Sequence, residues 1–227
     1  MKSTAVEQKK IFAQGICFDK LFLIFVIGSI FGVYYEQILT FVTNYIRYGT
    51  ILWESRQGVI YGPFSPIYGA GAVLMTYVLA SKQRKWYQTF LAGALLGGSF
   101  EYMVSFLQET FVGTVSWDYS KQFLNIHGRT TIPIMMAWGA LSLFFVKIVY
   151  PFLSRQIEKI PYRFGKMMTL ILVIYLSLDM LISWSALIRQ TFRRNGFEPF
   201  TVVGEFFDRY FPDDFLKQYF PNMVPRD

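Results

Sequence analysis

Metal and disulfide chemistry have almost no residues to work with in this chain, which holds one cysteine, Cys17, and one histidine, His127. A lone cysteine forms no internal disulfide and no multi-cysteine metal site, so Cys17 reads as a small hydrophobe. A lone histidine cannot build a histidine metal site. No Gly-x-Ser-x-Gly elbow and no His-Glu-x-x-His pair occurs, and no Walker A glycine-lysine sequence. The chain therefore hydrolyses no ATP through a P-loop, and if ATP drives it, another subunit supplies the nucleotide. Charge is also scarce: 16% of residues are charged, against roughly a quarter in soluble domains. No low-complexity tract and no internal repeat is evident.

What is abundant is apolar. Hydrophobic residues make up 53% of the 227, gathered into long runs separated by short charged clusters. That pattern predicts an integral membrane protein, an all-α polytopic bundle of about five spans. The spans are expected from about Phe18 or Lys20 to Thr43, Pro66 to about Ser81, Trp86 or Thr89 to Val112, Pro133 to about Pro151, and Met167 to Ile188. Tyr45, Tyr48, Trp53, Trp86, Tyr87, Trp117 and Tyr119 fall near run ends, where an interfacial aromatic belt would put them. Residues 1–194 form the transmembrane domain in this reading. Residues 195–227 alternate aromatic and charged side chains and are expected as a surface amphipathic tail of short helices interrupted at Pro212.

The formal net charge of +7 comes mostly from residues flanking apolar runs. Membrane lipids are therefore the expected partner and nucleic acid is not. Placing Lys9, Lys10, Lys82, Arg84, Lys85, Lys159 and Arg163 inside puts the amino terminus in the cytoplasm of a bacterial cell and the carboxy terminus outside. Arg189, Arg193 and Arg194 run against that scheme. A cleaved signal peptide is not expected, because the long first apolar run lacks a small-residue cleavage site at its end.

The stretch from Gly58 to Gly71 holds two prolines, four glycines and two tyrosines between apolar segments. It cannot be one uninterrupted helix. Ser65 is expected to cap a helix starting at Pro66, where a missing N–H costs nothing. A helix from there to Ser81 rises roughly 24 Å, less than the roughly 30 Å hydrocarbon core. Either residues 59 to 64 enter the membrane as irregular backbone walling a polar site, or the stretch is an external turn before an ordinary helix.

Acidic residues interrupt the spans. Gly28, Gly32, Glu36 and Thr40 recur every four residues, and Gly93, Gly97, Glu101, Ser105 and Gln108 share a face of the third span, with Glu109 at its edge. Asp179 is central in the fifth. Intramembrane carboxyls are expensive and must be protonated, paired or turned to a cavity. The loop Gly113–Thr130 carries Arg129, expected either in a solvated hairpin or in a lid that aims it at Glu109, Glu101 or Glu36. One arginine cannot neutralise four carboxyls, so the site holds protons, a cation or a cationic substrate, unless the carboxyls are only helix-to-helix bonds.

Tyr61-Gly-Pro-Phe-Ser-Pro-Ile-Tyr-Gly69, Glu101-Tyr102 with Glu109, Trp117-Asp-Tyr-Ser120 and Asn125-Ile-His-Gly-Arg129 together resemble the bacterial ABC-transporter type IV, or CmpB-like permease, family. The resemblance covers roughly Phe25 to Pro151. It implies that Glu36, Gly62, Pro63, Pro66, Tyr68, Gly69, Glu101, Glu109, Trp117, Asp118, Asn125, Gly128 and Arg129 belong to the family signature, and it implies a transporter component, with no substrate or catalytic residue to carry over. The expected lining of a polar, extracytoplasmic cavity is then Glu36, Tyr61, Pro63, Tyr68, Glu101, Glu109, Asp118, Asn125, Arg129 and Asp179. No cofactor is expected; a separate transporter subunit or a second copy is the expected protein partner. Two other classes stay open: an intramembrane enzyme using Glu109, Asp118 or His127 as base and Arg129 to bind phosphate or carboxylate, and a non-catalytic scaffold subunit.

Overall fold

The computed structural model describes residues 10–225; Lys9, used above to orient the amino terminus, lies outside them. Among the described residues four helices are long and apolar enough to cross a membrane, Phe18–Tyr48, Trp86–Val112, Ile132–Glu158 and Tyr162–Arg194, and a shorter apolar one covers Pro66–Ala80. In chain order α1 is Phe18–Tyr48, α2 is Pro66–Leu74 and α3 is Trp86–Val112. Then come α4 (Ile132–Phe144), α5 (Tyr150–Glu158), α6 (Tyr162–Arg194), α7 (Val202–Tyr210) and α8 (Asp213–Tyr219). Two-residue strands β1 (Thr114–Val115), β2 (Asn125–Ile126), β3 (Thr130–Thr131) and β4 (Val224–Pro225) complete the set.

Glycine decides which helices pair. A Cβ added to Gly32 would lie 2.1 Å from the Tyr68 ring, and one on Gly28 would lie 2.8 Å from Ala72. As the α1 partner position rises, the α2 position falls, so the two helices run antiparallel. The same geometry joins α3 to α4, where Gly93 meets Ser142, Gly97 meets Trp138 and Gly98 meets Met135. Small residues let helix backbones approach closely inside a membrane, where lipid gives apolar side chains no reason to prefer each other. Both α1 and α3 end on a left-handed glycine, Gly49 and Gly113, whose N–H bonds back to Tyr45 and Glu109.

The broken stretch lies deep. The Ser65 N–H donates to the Ser29 carbonyl of α1 at 3.1 Å, and Ser29 is about 28 Å below Tyr48 along the α1 axis. Pro66 opens α2 as expected, but the Ser65 side chain makes no capping bond; its backbone is held by α1 instead. Irregular backbone at such depth needs internal partners. Helix α6 provides them: Ser183 Oγ accepts from Ile60 N at 2.8 Å, Asp179 Oδ1 accepts from Tyr61 N at 3.1 Å, and Tyr175 donates to the Tyr61 carbonyl at 3.0 Å.

Helix α4 does not stop at Pro151. It becomes π-helical over Phe145–Val149 and continues as α5, with Pro151 in the first turn of α5. Widening the turn ahead of a proline leaves room for a ring that would otherwise meet the preceding carbonyl. Helices α1 and α6 likewise run past the expected span ends, to Tyr48 and Arg194.

At the Phe18 end, Phe12, Ala13, Leu23, Ile24 and Ile157 form a buried cluster, closed by ion pairs of Lys20 with Glu158 and Lys166 with Asp19. At the other end, Phe211, Leu216 and Phe220 of the last segment bury themselves with Ala186, Leu187 and Ile60. Arg189 grips Asp208 through both Nε and Nη2, at 2.9 and 2.7 Å, while Arg193 reaches Asp208 and Asp213 at 2.6 Å each. Strand β4 pairs antiparallel with β1. The segment after α6 is thus fastened to the bundle by apolar packing, ion pairs and a strand contact.

Candidate functional site

Two segments descend toward the middle of the bundle from the end where α1 and α3 finish, and the acidic residues meet their tips. From the first, Tyr68 lies in the notch over Gly32 and its hydroxyl donates to Glu36 Oε2 at 3.1 Å, one turn further along α1. Arg56, bonded to Glu54 at 2.7 Å, lies within electrostatic reach of Glu36.

The second is the loop between α3 and α4. The turn between β2 and β3 places His127 and Gly128 at positive φ, 52° and 70°, so the strand contact between Ile126 and Thr130 closes tightly. Asn125 Oδ1 accepts from Gly128 N at 3.0 Å, and Asp118 Oδ1 accepts from the backbone and hydroxyl of Ser120 at 2.8 and 2.5 Å. These two candidate side chains fold the loop, and the folded loop delivers Tyr119 and Thr130. Tyr119 donates to Glu101 Oε1 at 3.2 Å, and Thr130 donates to Oε2 at 2.6 Å. Trp138, filling the notch over Gly97, lies close to Glu101 as well.

Glu101 and Glu36 belong to one neighbourhood. The Tyr119 phenol is pushed above the usual tyrosine range, first by burial, then by the adjacent Glu101 charge, with Glu36 adding to the same push. The loop tyrosine is therefore within electrostatic reach of both carboxyls. Arg129 pairs with the third, Glu109, at 2.5 Å, its guanidinium over the rings of Tyr102 and Phe106. Trp117 donates to the Arg129 carbonyl at 2.9 Å, fixing the backbone from which that side chain projects. His127 meets the Tyr102 hydroxyl at 2.9 Å.

The remaining candidates separate from this group. Asp179 is 3% exposed and holds the backbone of Tyr61; its Oδ2 has no hydrogen-bond partner. Tyr61 is exposed, with its backbone held by α6, and Pro63 follows in the same turn, beside Gly62 at φ 88°. Residue-by-residue reading missed Arg56, Thr130 and Trp138 as members of the site and had Tyr119 only as part of a motif. Thr130 and Trp138 are 29 and 37 positions beyond Glu101, and no helical spacing links them. Among the described residues no group of three or more His, Cys, Asp or Glu side chains could hold a metal ion.

The arrangement gives each carboxyl different company. Glu109 has a guanidinium, and Glu36 has a tyrosine with an arginine nearby. Glu101 is bonded to neutral donors, Tyr119 and Thr130, with Trp138 beside it. The sequence pattern of the family described as "Putative ABC-transporter type IV" matches residues 23–184. That match takes in every candidate residue and reaches past Pro151 into α6, further than the motifs alone indicated. No curated protein matches the chain, and no solved structure does.

Proposed function

Because the chain belongs to the "Putative ABC-transporter type IV" family, a family of multi-pass bacterial membrane proteins, we propose that it is a permease, or permease subunit, whose moving site is the polar group around Glu101. The observation that carries this reading is the meeting of two descending segments on the intramembrane carboxyls: Tyr68 on Glu36, and Tyr119 with Thr130 on Glu101. A carboxyl held by neutral donors has no fixed countercharge among those bonds, so a proton or a cation can serve as its partner. Glu109 and Arg129 then form the rim, and the loop carrying Trp117 to Arg129 covers the mouth on the extracytoplasmic face. With the amino terminus cytoplasmic, the basic cluster Lys82, Arg84 and Lys85 faces inside.

Arg189 and Arg193 fit this orientation because Asp208 and Asp213 neutralise them locally, which weakens their pull toward the cytoplasm. Any ATP-driven step belongs to a partner subunit, since this chain has no P-loop.

The test is proton movement in sealed liposomes containing the purified chain, read with an entrapped pH indicator under an imposed gradient. Wild-type protein is expected to dissipate the gradient, and Glu101→Gln, which keeps the shape and removes the titrating group, is expected to stop it. Equal rates in wild type, Glu101→Gln and empty liposomes would overturn the reading.

A further inference from the structure

Glycines 28 and 32 precede Glu36 at four-residue steps on α1, and glycines 93 and 97 precede Glu101 at the same steps on α3. Thr40-Phe41 follows the first carboxyl as Ser105-Phe106 follows the second. The partner helices agree as well: Tyr68-Gly69-Ala70 on α2 corresponds to Trp138-Gly139-Ala140 on α4.

The contacts repeat along with the residues. Gly28 meets Ala72 as Gly93 meets Ser142, and Gly32 receives the Tyr68 ring as Gly97 receives that of Trp138. Each aromatic residue also lies beside the carboxyl of its own pair, Tyr68 hydrogen-bonding Glu36 and Trp138 close to Glu101. Seven residues beyond each aromatic the helix turns π-helical, at Met75 and at Phe145. The π-helix is rare, so its appearance at matching places in both partners is a specific point of correspondence.

The two pairs meet through their matching stretches. The two π-helical stretches touch each other, α3 touches Met75–Ala80, and α1 touches α5, the continuation of the matching stretch. The π-helical stretch of one hairpin therefore meets its own counterpart in the other, the self-contact that a two-fold relation requires.

We propose that residues 28–80 and 93–149 are two copies of one helical hairpin, related by a two-fold axis along the membrane normal, which rock against each other about their π-helical stretches and so open and close the Glu36–Glu101 site. An internal repeat that inspection of the sequence did not reveal thus emerges once contacts are compared. Each hairpin is locked internally by an aromatic ring seated in a glycine notch. The seam between hairpins is sparser, with far fewer residues in contact than within either hairpin, and a small open pocket of about 10 Å³ lies on it between Gly71, Leu74 and Met75 on one side and Leu96, Gly97, Phe100 and Trp138 on the other. Transporters built from repeats place their sites at the repeat interface, where rigid-body rocking exposes them. The duplication stands without the transport reading; the purpose given to the motion rests on it.

Spin-label distances in the full chain, in lipid bilayer discs with Cys17→Ser clearing the native thiol, provide the test. One pair joins the hairpins at Val42 and Leu107, equivalent positions that are both exposed. Control pairs stay within a hairpin, at Phe31 with Tyr77 and at Leu95 with Ile148, again all exposed. The controls are expected to give one distance each. Val42 with Leu107 is expected to give two populations, and Glu36→Gln and Glu101→Gln are expected to shift them in the same direction. A single Val42–Leu107 distance unmoved by either variant, opposite shifts in the two, or motion inside a hairpin would overturn the proposal. A fixed Val42–Leu107 distance with intact proton movement would sink the rocking and leave the transport reading standing; two populations with no proton movement would do the reverse.

Discussion

Individual residues show how much a membrane interior depends on donors arriving from elsewhere in the chain. The Tyr119 hydroxyl is one of the neutral donors to Glu101, and a bond to a charged group is worth about 1.5–3 kcal/mol. Tyr119→Phe is expected to slow proton movement and to lower the melting temperature in detergent, while Ser120→Ala, altering only the turn beside it, changes proton movement little. Glu36 and Glu101 were legible from four-residue spacing, because a carboxyl on a glycine-lined helix face has to look inward. Arg129 was legible as a counter-ion, although the spacing could not choose Glu109 from the three carboxyls on offer. Thr130 and Trp138 were not legible. Their place beside Glu101 follows from how far α4 is sunk against α3, and that depth is set by the meeting of Gly97 with Trp138 and Gly98 with Met135.

At the scale of elements, glycine notches and the descending segments make separate predictions. A side chain at Gly97 would start 2.4 Å from the Trp138 ring, and overpacking of this kind costs about 1–3 kcal/mol. Gly97→Val is therefore expected to loosen α3 from α4, measured as a lower melting temperature, whereas the same change at Gly49 or Gly113 would act through helix termination. The descending segment depends on α6. Removing Ser183 Oγ and the Asp179 carboxyl together leaves the Ile60 and Tyr61 N–H groups without these acceptors, at about 1–3 kcal/mol for each unsatisfied donor. Hydrogen exchange at Ile60 and Tyr61 is expected to rise sharply in Asp179→Ala with Ser183→Ala, with α3 and α4 unaffected. Proline and glycine made the break itself legible from sequence. Its depth was not, because it follows from the bond between Ser65 and Ser29, two residues that carry no pattern linking them. The π-helical stretch before Pro151 was also hidden, since proline reads equally well as an end of a helix.

For the molecule as a whole, the last segment is held by a charge network whose pH response has a definite sign. The guanidinium of Arg189 first, and Arg193 after it, hold the Asp208 carboxyl below its usual range, against an opposing push from burial. A carboxylate depressed in the folded state stabilises it above the unfolded value of about 3.9, and that stabilisation is lost as pH falls through the folded value. The segment is therefore expected to stay fastened at neutral pH and to release in strong acid, seen as proteolysis after α6. Asp208→Asn is expected to weaken the fastening at neutral pH already. The order of biosynthesis follows from the same long-range economy of partners. Helix α2 is too short to cross the bilayer by itself, and its first turn hangs from the Ser29 carbonyl, so α1 must be in place before it. Ser183 and Asp179 leave the ribosome 123 and 118 residues after the backbone groups they bind. Until α6 is made, the Ile60 and Tyr61 N–H groups lack those acceptors and turn to water instead, so the descending segment is expected to settle only after α6, and a chain truncated before α6 is expected to leave both groups open to fast hydrogen exchange.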